Sequence, residues 1–413
     1  MQAKNGLLYG LTSYGGSNND GTMFSYDPFN NSYTKLVDFT GTNGGPEIGG
    51  NSLTQEKNGL LYGTTFYGGK FNDGVIFSYN ITTGKDSVLY NFDSIHGKGP
   101  CESLFEDTIT GLLYGMAEFG GLNNNNGVLY NFDPVSGKQK VLFNFTDSNG
   151  RQPVGTLIGG KDGLLYGLGS GGKYFGNGII FTYDIVKDTE KIIFNFNDTD
   201  GSIPIGNSLI QAKNGLLYGM TNEGGPITSN GGVMFSFDPI TDSEKVLFNF
   251  TGANGKSPLS SLMQDTNTGL LYGMTDIGGT KNVGVLFSYD ITTNKQTILL
   301  NFDTANGSYT RSTLLLVRNT PLGVNEITNN INTLATVYPN PASSLLNVEV
   351  QLQPNETATI CLYNTIGEEV RCETLKSSLT VLPISNLALG IYYYRITDFN
   401  NNLIRADKVM IVR

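Results

Sequence analysis

The chain has 413 residues, a formal net charge of −10 at neutral pH and a pI near 4.7, and its 26 lysines and arginines are scattered. This balance argues against nucleic acid and anionic membrane surfaces as partners, and no run approaches the ~20 apolar residues of a membrane span. The 54 glycines, the charged fraction of 15% and the absence of tryptophan favour a turn-rich, all-β, exported protein.

One pentapeptide, Gly-Leu-Leu-Tyr-Gly, recurs along most of the chain at a spacing of about 52 residues. Its copies begin at Gly6, Gly59, Gly111, Gly163, Gly215 and Gly269. A period of this size with strand-like patterns is typical of architectures in which each unit buries its faces against its neighbours. The six copies therefore predict a single domain over residues 1–318.

Each repeat predicts four antiparallel strands, which we name a to d. Strand a is short, strand b contains the pentapeptide and ends at a Gly-Gly pair, and strand c alternates aromatic residues with others, as in Val233-Met-Phe-Ser-Phe-Asp. An aspartate turn then leads to strand d. Four strands repeated six times predict a six-bladed β-propeller.

The ends of the repeat region predict how the ring closes. The opening residues 1–10 repeat residues 210–219 almost letter for letter, so the chain starts in mid-repeat and no signal peptide is expected within it. A segment resembling strand a, residues 312–318, follows the last strand d. We predict that this segment pairs with the N-terminal strands and closes the first blade.

The repeat resembles a known family. Leu-Tyr-Gly-x-Thr, the Gly-Gly pair, the Asn-rich loop and Gly-x-x-Phe-x-Tyr-Asp-Pro resemble the Gloeobacter/Verrucomicrobia-type tandem repeats of exported bacterial proteins. They are also similar to the kelch blade, although the tryptophan usual in kelch blades is missing. The resemblance implies a propeller and no particular activity.

The period stops after Asn319, where a polar linker at 319–336 precedes a region at 337–413 with alternating strands and frequent turn signals. That pattern predicts a small immunoglobulin-like β-sandwich. Its two cysteines, Cys361 and Cys372, are compatible with a disulfide or with two free thiols.

Four spaced motifs in this region resemble the type A C-terminal sorting domain of the type IX secretion system of Bacteroidota. They are Tyr338-Pro339-Asn340-Pro341, the Leu-Tyr-Asn-x-x-Gly that ends at Gly367, the Leu-x-x-Gly-Ile-Tyr-Tyr that contains Gly390 and Tyr392, and the terminal run from Lys408. Asn364 stands where the family often has aspartate. The resemblance implies recognition by the translocon and sorting machinery, and a location that is secreted or attached to the outer-membrane surface.

The residue inventory limits the chemistry. His96 is the single histidine, which argues against Ser-His-Asp and histidine-zinc catalysis, and no metal or cofactor is expected. Hydrolysis by two facing carboxylates needs no histidine and stays open. A carbohydrate-active propeller enzyme and a structural adhesion spacer are therefore alternatives to a binding protein.

The variable loops predict a recognition face. The b–c and d–a loops emerge on the same side of a propeller, and here they are the longer and more diverse loops. We predict that they contact a glycan or a surface protein, and that the protein is a monomer. The candidate ligand-binding residues are Tyr14, Asn18, Asp20, Tyr67, Asp73, Phe119, Arg151 and Tyr174.

Overall fold

The computed structural model describes two compact units, Met1–Val317 and Arg318–Arg413. Every described residue lies in a strand, bridge, turn or irregular segment, and none lies in a helix. The described residues are 1–28, 30–45, 53–174, 176–204, 206, 208–226, 230–308, 310, 313–317, 335–352, 356–364, 369–398 and 403–412.

Six antiparallel sheets follow one another along the first unit. The first sheet is β1 (Leu8–Thr12), β2 (Thr22–Asp27) and β3 (Ser32–Asp38). The second and third are β4 (Leu53–Gln55), β5 (Leu61–Thr65), β6 (Val75–Asn80), β7 (Lys85–Asn91), then β8 (Lys98–Glu106), β9 (Leu113–Phe119), β10 (Val128–Asp133), β11 (Lys138–Asn144). The fourth is β12 (Arg151–Gly159), β13 (Leu165–Ser170), β14 (Ile179–Asp184), β15 (Thr189–Asn195). The fifth and sixth are β16 (Ile210–Gln211), β17 (Leu217–Met220), β18 (Val233–Asp238), β19 (Ser243–Asn249), then β20 (Met263–Gln264), β21 (Leu271–Met274), β22 (Val285–Asp290), β23 (Lys295–Asn301).

The prediction of an all-β propeller fold is confirmed, and each four-stranded sheet contains strands a to d in chain order. The last position of the pentapeptide requires glycine, because it lies opposite an aromatic residue of strand c. Gly219 pairs with Phe235, and a Cβ atom built on Gly219 would lie 2.6 Å from the tip of that ring. The same arrangement recurs at Gly10, Gly63, Gly115, Gly167 and Gly273. Only glycine leaves room for the ring to lie flat across strand b.

The tyrosine before that glycine is buried in the first five sheets, as the repetition predicts, and half-buried in the sixth, and in four of the sheets its hydroxyl bonds the a–b turn of its own sheet. Asn58 Nδ2 donates to Tyr62 Oη at 2.8 Å, and Asn214 Nδ2 donates to Tyr218 Oη at 2.8 Å. Tyr166 instead donates to Asp162 at 2.6 Å. The tyrosine therefore fixes the a–b turn while its ring fills the space between sheets.

Five clusters of buried apolar side chains join each sheet to the next one along the chain. Rings meet edge to face across these seams, as Phe145 and Phe181 do at 5.2 Å between centroids. The described residues of the sixth and first sheets form no equivalent cluster. The count of six blades in a closed ring therefore stays a prediction.

Closure by residues 312–318 also stays a prediction. Positions 312 and 318 lie outside the described residues, and the described residues 313–317 form no strand. The edge of β1 instead carries a bridge between Gln2 and Leu8, in the register that Gln211 and Leu217 have in the fifth sheet.

The second unit confirms the predicted β-sandwich. One sheet is β24 (Ala335–Tyr338), β25 (Leu345–Val350) and β28 (Leu379–Pro383). The other, in spatial order, is β27 (Glu369–Leu375), β26 (Ala358–Tyr363), β29 (Gly390–Asp398) and β30 (Leu403–Ile411). Their inner faces share one apolar core that includes Leu346, Ile360 and Ile396. Cys361 and Cys372 are opposite each other on β26 and β27 and form a disulfide.

We expect Gly219→Ala to destabilise the first unit by roughly 1–3 kcal/mol, because the new methyl group would overlap Phe235 and Leu209. The matched control is Gly169→Ala, also in a strand b, where the nearest side-chain atom would lie 3.5 Å from the new Cβ. Urea unfolding of the two variants measures the difference. Equal midpoints would contradict the proposed role of the glycine.

Candidate functional site

The b–c loops of the sheets are held by a repeated pair of hydrogen bonds. In the second sheet, Gly68 N donates to Asn72 Oδ1 at 3.0 Å, and Lys70 N donates to Asn91 Oδ1 at 2.7 Å. Asn72 has a positive φ of 58°, a conformation that asparagine tolerates. Equivalent bonds hold the loops of the first and third sheets. The loop tips are therefore fixed by backbone and amide contacts, which leaves their side chains free to vary.

Three of the candidate aromatic residues project from these loops into solvent. Tyr14, Tyr67 and Tyr174 expose 62%, 46% and 41% of their surface. They belong to the first, second and fourth sheets. Exposed rings on rigid loops have a low entropic cost of ordering when a ligand binds.

The structure brings two of the candidates into one aromatic cluster. The ring of Phe66 lies 4.8 Å from that of Tyr67 and 6.2 Å from that of Phe119, in both cases edge to face. Phe119 is only half-exposed and packs between the second and third sheets. Phe119 joins the cluster through Phe66, and Tyr67, which is 46% exposed, presents the more accessible ring.

Sequence reasoning missed Phe71, which is 50% exposed at the tip of the second b–c loop. Lys70 Nζ lies 4.9 Å from the centroid of the Phe71 ring, and Lys173 Nζ lies 5.1 Å from that of Tyr174. The signal was present, since Gly-Gly-Lys followed by an aromatic residue occurs in these two loops. Each loop therefore presents a cation beside an aromatic face.

The polar candidates divide into structural and accessible residues. Asp73 is buried. Its carboxylate accepts a hydrogen bond from Ser94 Oγ at 2.8 Å and lies 3.1 Å from Lys98 Nζ, so it stabilises the d–a loop. Arg151 is exposed and lies 3.4 Å from Asp147 in its own loop. Asn18 is exposed and Asp20 half-exposed in the first b–c loop. His96 contacts Asp93 within its own loop at 2.8 Å.

One pair of carboxyl groups, Glu56 and Glu106, lies between the second and third sheets on the a–b side. Glu56 is 3% exposed, and solvent reaches neither of its carboxyl oxygens. Burial, followed by the neighbouring Glu106, raises the pKa of Glu56 to about 8. In the seam between the fifth and sixth sheets, the positions equivalent to Glu56 and Glu106 are occupied by Ala212 and Gln264. Glu56 is therefore closed to a substrate, and its ionisation affects the packing of the two sheets.

The sorting motifs come together in the second unit, although they are far apart in sequence. Asn340 Nδ2 donates to the carbonyl of Lys408 at 3.0 Å, and Met410 N donates to Asn340 Oδ1 at 2.9 Å. Tyr338 Oη donates to Glu349 at 2.7 Å, while Tyr392 is buried. The structure also describes Pro339 and Pro341 of the Tyr-Pro-Asn-Pro motif and Gly390, which begins β29. Gly367 lies outside the described residues. The Tyr-Pro-Asn-Pro motif thus clamps the last strand of the domain.

Comparison with known families gives two matches. The Gloeobacter/Verrucomicrobia repeat matches residues 1–125 and 108–338, and the secretion system C-terminal sorting domain matches residues 336–412. No curated protein matches the chain. In the part of the chain that the structure describes, no helix is long and apolar enough to cross a membrane.

Solved structures similar to the chain have low sequence identity. TolB from Acinetobacter baumannii is 15% identical over 70% of this chain and 62% of its own, with a TM-score of 0.44. The nidogen/laminin complex gives 14% identity over 74% of this chain and 97% of the other, with a TM-score of 0.46. The extracellular domain of the hybrid two-component system BT4673 from B. thetaiotaomicron is 17% identical over 100% of this chain and 50% of its own, with a TM-score of 0.46.

The buried pair predicts a pH dependence of stability. In the folded state Glu56 has a pKa of about 8, so it keeps its proton at neutral pH. In the unfolded chain it titrates at its ordinary pKa of 4.5. Its stabilising contribution is complete below the unfolded value and is lost as pH rises through the folded value. The unfolding free energy should therefore fall by roughly 5 kcal/mol across this window.

Urea titrations at several pH values across this window provide the measurement. Glu56→Gln should flatten the slope because an amide does not titrate, whereas Glu373→Gln, at an exposed carboxylate, should leave it unchanged. A Glu56→Gln variant that keeps the full slope would show that another group is responsible.

Removal of the Asn340 clamp should loosen the end of the sorting domain. We expect Asn340→Ala to lower the stability of the second unit by about 1–2 kcal/mol, because two hydrogen bonds to β30 are lost. Tyr338→Phe, which loses one exposed hydrogen bond, should have a much smaller effect. Calorimetry of the full chain provides the test, and equal transitions for the two variants would rule out the clamp.

Proposed function

Because the chain belongs to the Gloeobacter/Verrucomicrobia repeat family and ends in a secretion system C-terminal sorting domain, we propose that it is a non-catalytic recognition protein that binds a glycan or another surface protein. The sorting domain implies interaction with the secretion machinery, secretion and attachment at the cell surface. The proposed binding face is that of the b–c loops.

The observation that carries this proposal is the set of exposed aromatic rings on hydrogen-bonded loop tips. Phe71 and Tyr174 stand at the same loop position in the second and fourth sheets, each beside a lysine. Tyr14 and Tyr67 add two more exposed rings at the position before the Gly-Gly pair. Aromatic faces next to amide and ammonium donors suit the apolar faces and hydroxyl groups of sugar rings.

The carbohydrate-active enzyme is less well supported. A glycosidase needs two carboxyl groups roughly 5–10 Å apart on either side of an accessible cleft. Burial also raises the pKa values of Glu102, Glu190 and Glu244 to about 7, but each belongs to a different sheet. Glu56 and Glu106 are adjacent, yet Glu56 is closed to solvent. The exposed aromatic residues on the loops do not support the third function, a structural adhesion spacer.

We expect the full chain to bind one or more polysaccharides in a glycan array and pull-down without releasing reducing sugar. Phe71→Ala and Tyr174→Ala should each weaken this binding by roughly tenfold, since a stacked ring contributes on the order of 1–2 kcal/mol. Tyr33→Ala is the matched control, because Tyr33 is 58% exposed but lies on a strand d.

The outcomes separate the three functions. Binding that depends on Phe71 and Tyr174 but not on Tyr33 supports the proposed face. Release of reducing sugar in the same wells would favour the enzyme. Binding to no glycan and to no surface protein of the source cells would favour the spacer.

A further inference from the structure

A glutamine precedes the a–b turn in four of the six sheets, at Gln2, Gln55, Gln211 and Gln264. Its Nε2 donates to the carbonyl of the first glycine of the pentapeptide, as Gln264 does to Gly269 at 3.2 Å. In three of these sheets its Oε1 also accepts from the backbone of the preceding sheet, as Gln264 does from Lys213 N at 3.1 Å. One amide group thus connects two neighbouring sheets on the a–b side.

The third sheet has a glutamate, Glu106, at this position. Glu106 pairs with Leu113 in the same register in which Gln264 pairs with Leu271. The carbonyl equivalent to the one that receives the amide in the other sheets is that of Gly111. An ionised carboxylate has acceptors but no donor, so it cannot make the bond that the amide makes. Glu106 therefore puts acceptor oxygens where the other sheets have a donor.

The preceding sheet adds a second carboxyl group to the same seam. Glu56 occupies the turn position that Ala3 and Ala212 have in the first and fifth sheets, where the backbone N donates to the first leucine of the pentapeptide. It is 3% exposed, and neither of its carboxyl oxygens has a hydrogen-bond partner among the described residues. The side chains of Glu106 and Thr54 are close enough to affect its ionisation. Buried oxygens without a donor need a proton or a cation to offset their lost hydration.

The charged side chains around the pair do not supply that cation. Lys57 Nζ donates to a backbone carbonyl of the third a–b turn at 2.6 Å. The carboxylate of Asp107 accepts two hydrogen bonds within that same turn. Lys4 favours the ionised form of Glu56, but no lysine or arginine in the described part of the chain forms an ion pair with Glu56 or Glu106. The ionised pair therefore has two negative charges without a direct counter-ion.

We propose that Glu56 and Glu106 together bind one calcium ion at the a–b end of the seam between the second and third sheets. The ion would link the two sheets where the amide of a glutamine links others. The ligands are the two carboxylates, and the hydroxyl of Thr54 and the carbonyl of Gly111 are further oxygen donors of the same region. This site is separate from the proposed binding face of the b–c loops and adds a metal that the sequence does not predict.

The oxygen-only environment selects calcium among the common cations. Calcium binds several oxygen ligands in flexible geometry, whereas magnesium requires a regular octahedron and usually keeps several water molecules. A seam in which Glu56 is closed to solvent has little space for such water. Sites with few carboxylates in extracellular proteins bind calcium with a Kd on the order of 0.1–1 mM, and we expect this range here.

The test is a calorimetric titration of the full chain with calcium chloride, after removal of bound ions with EDTA. We expect one ion per chain. Glu106→Gln should abolish binding and still fold, because it restores the residue that four other sheets have at this position. Glu56→Gln should weaken binding at least tenfold, whereas Glu373→Gln, at an exposed carboxylate, should not change it. Absence of binding, or full binding by Glu106→Gln, would overturn the proposal.

Urea unfolding at neutral pH gives a second readout. Calcium should raise the unfolding midpoint of the unaltered chain and of Glu373→Gln, but not that of Glu106→Gln, because only an intact site favours the folded state. Magnesium or sodium chloride at equal ionic strength should have little effect. An equal rise with every salt would mean general charge screening and would also overturn the proposal. The pH titration described above is carried out in EDTA, since a bound ion would keep both carboxylates ionised.

Discussion

The architecture of the first unit depends on one steric constraint, the aromatic ring of strand c that lies over a glycine of strand b. At Gly219 an added Cβ would overlap both Phe235 and Leu209, so the ring, the glycine and the leucine of strand a form one close-packed set. This set makes each sheet a unit with two apolar faces. Because neither face is stable in water, each sheet requires a neighbour, and stacking along the chain follows.

The same repetition separates structure from recognition. Asn72 and Asn91 bind the backbone of one b–c loop at Gly68 and Lys70, and their equivalents hold other loops, so the side chains at the loop-tip positions are not needed to fix the loop. Those are the positions at which Phe71 and Tyr174 appear. A face of fixed backbones and variable tips suits an exported binding protein, whose second unit uses Asn340 to lock the terminal strand of the sorting domain.

The sequence by itself determined the repeat, the order of the strands within each sheet, the sandwich and the family of both units, because strand alternation and turn glycines are local signals that six copies reinforce. It also placed Tyr14, Tyr67 and Tyr174 on exposed loops. Only the tertiary structure decided that Asp73 is paired with Lys98, that Glu56 is buried beside Glu106, and that Cys361 and Cys372 are joined. These facts depend on contacts between sheets or across strands, where burial and distance are set by packing and not by neighbours in sequence.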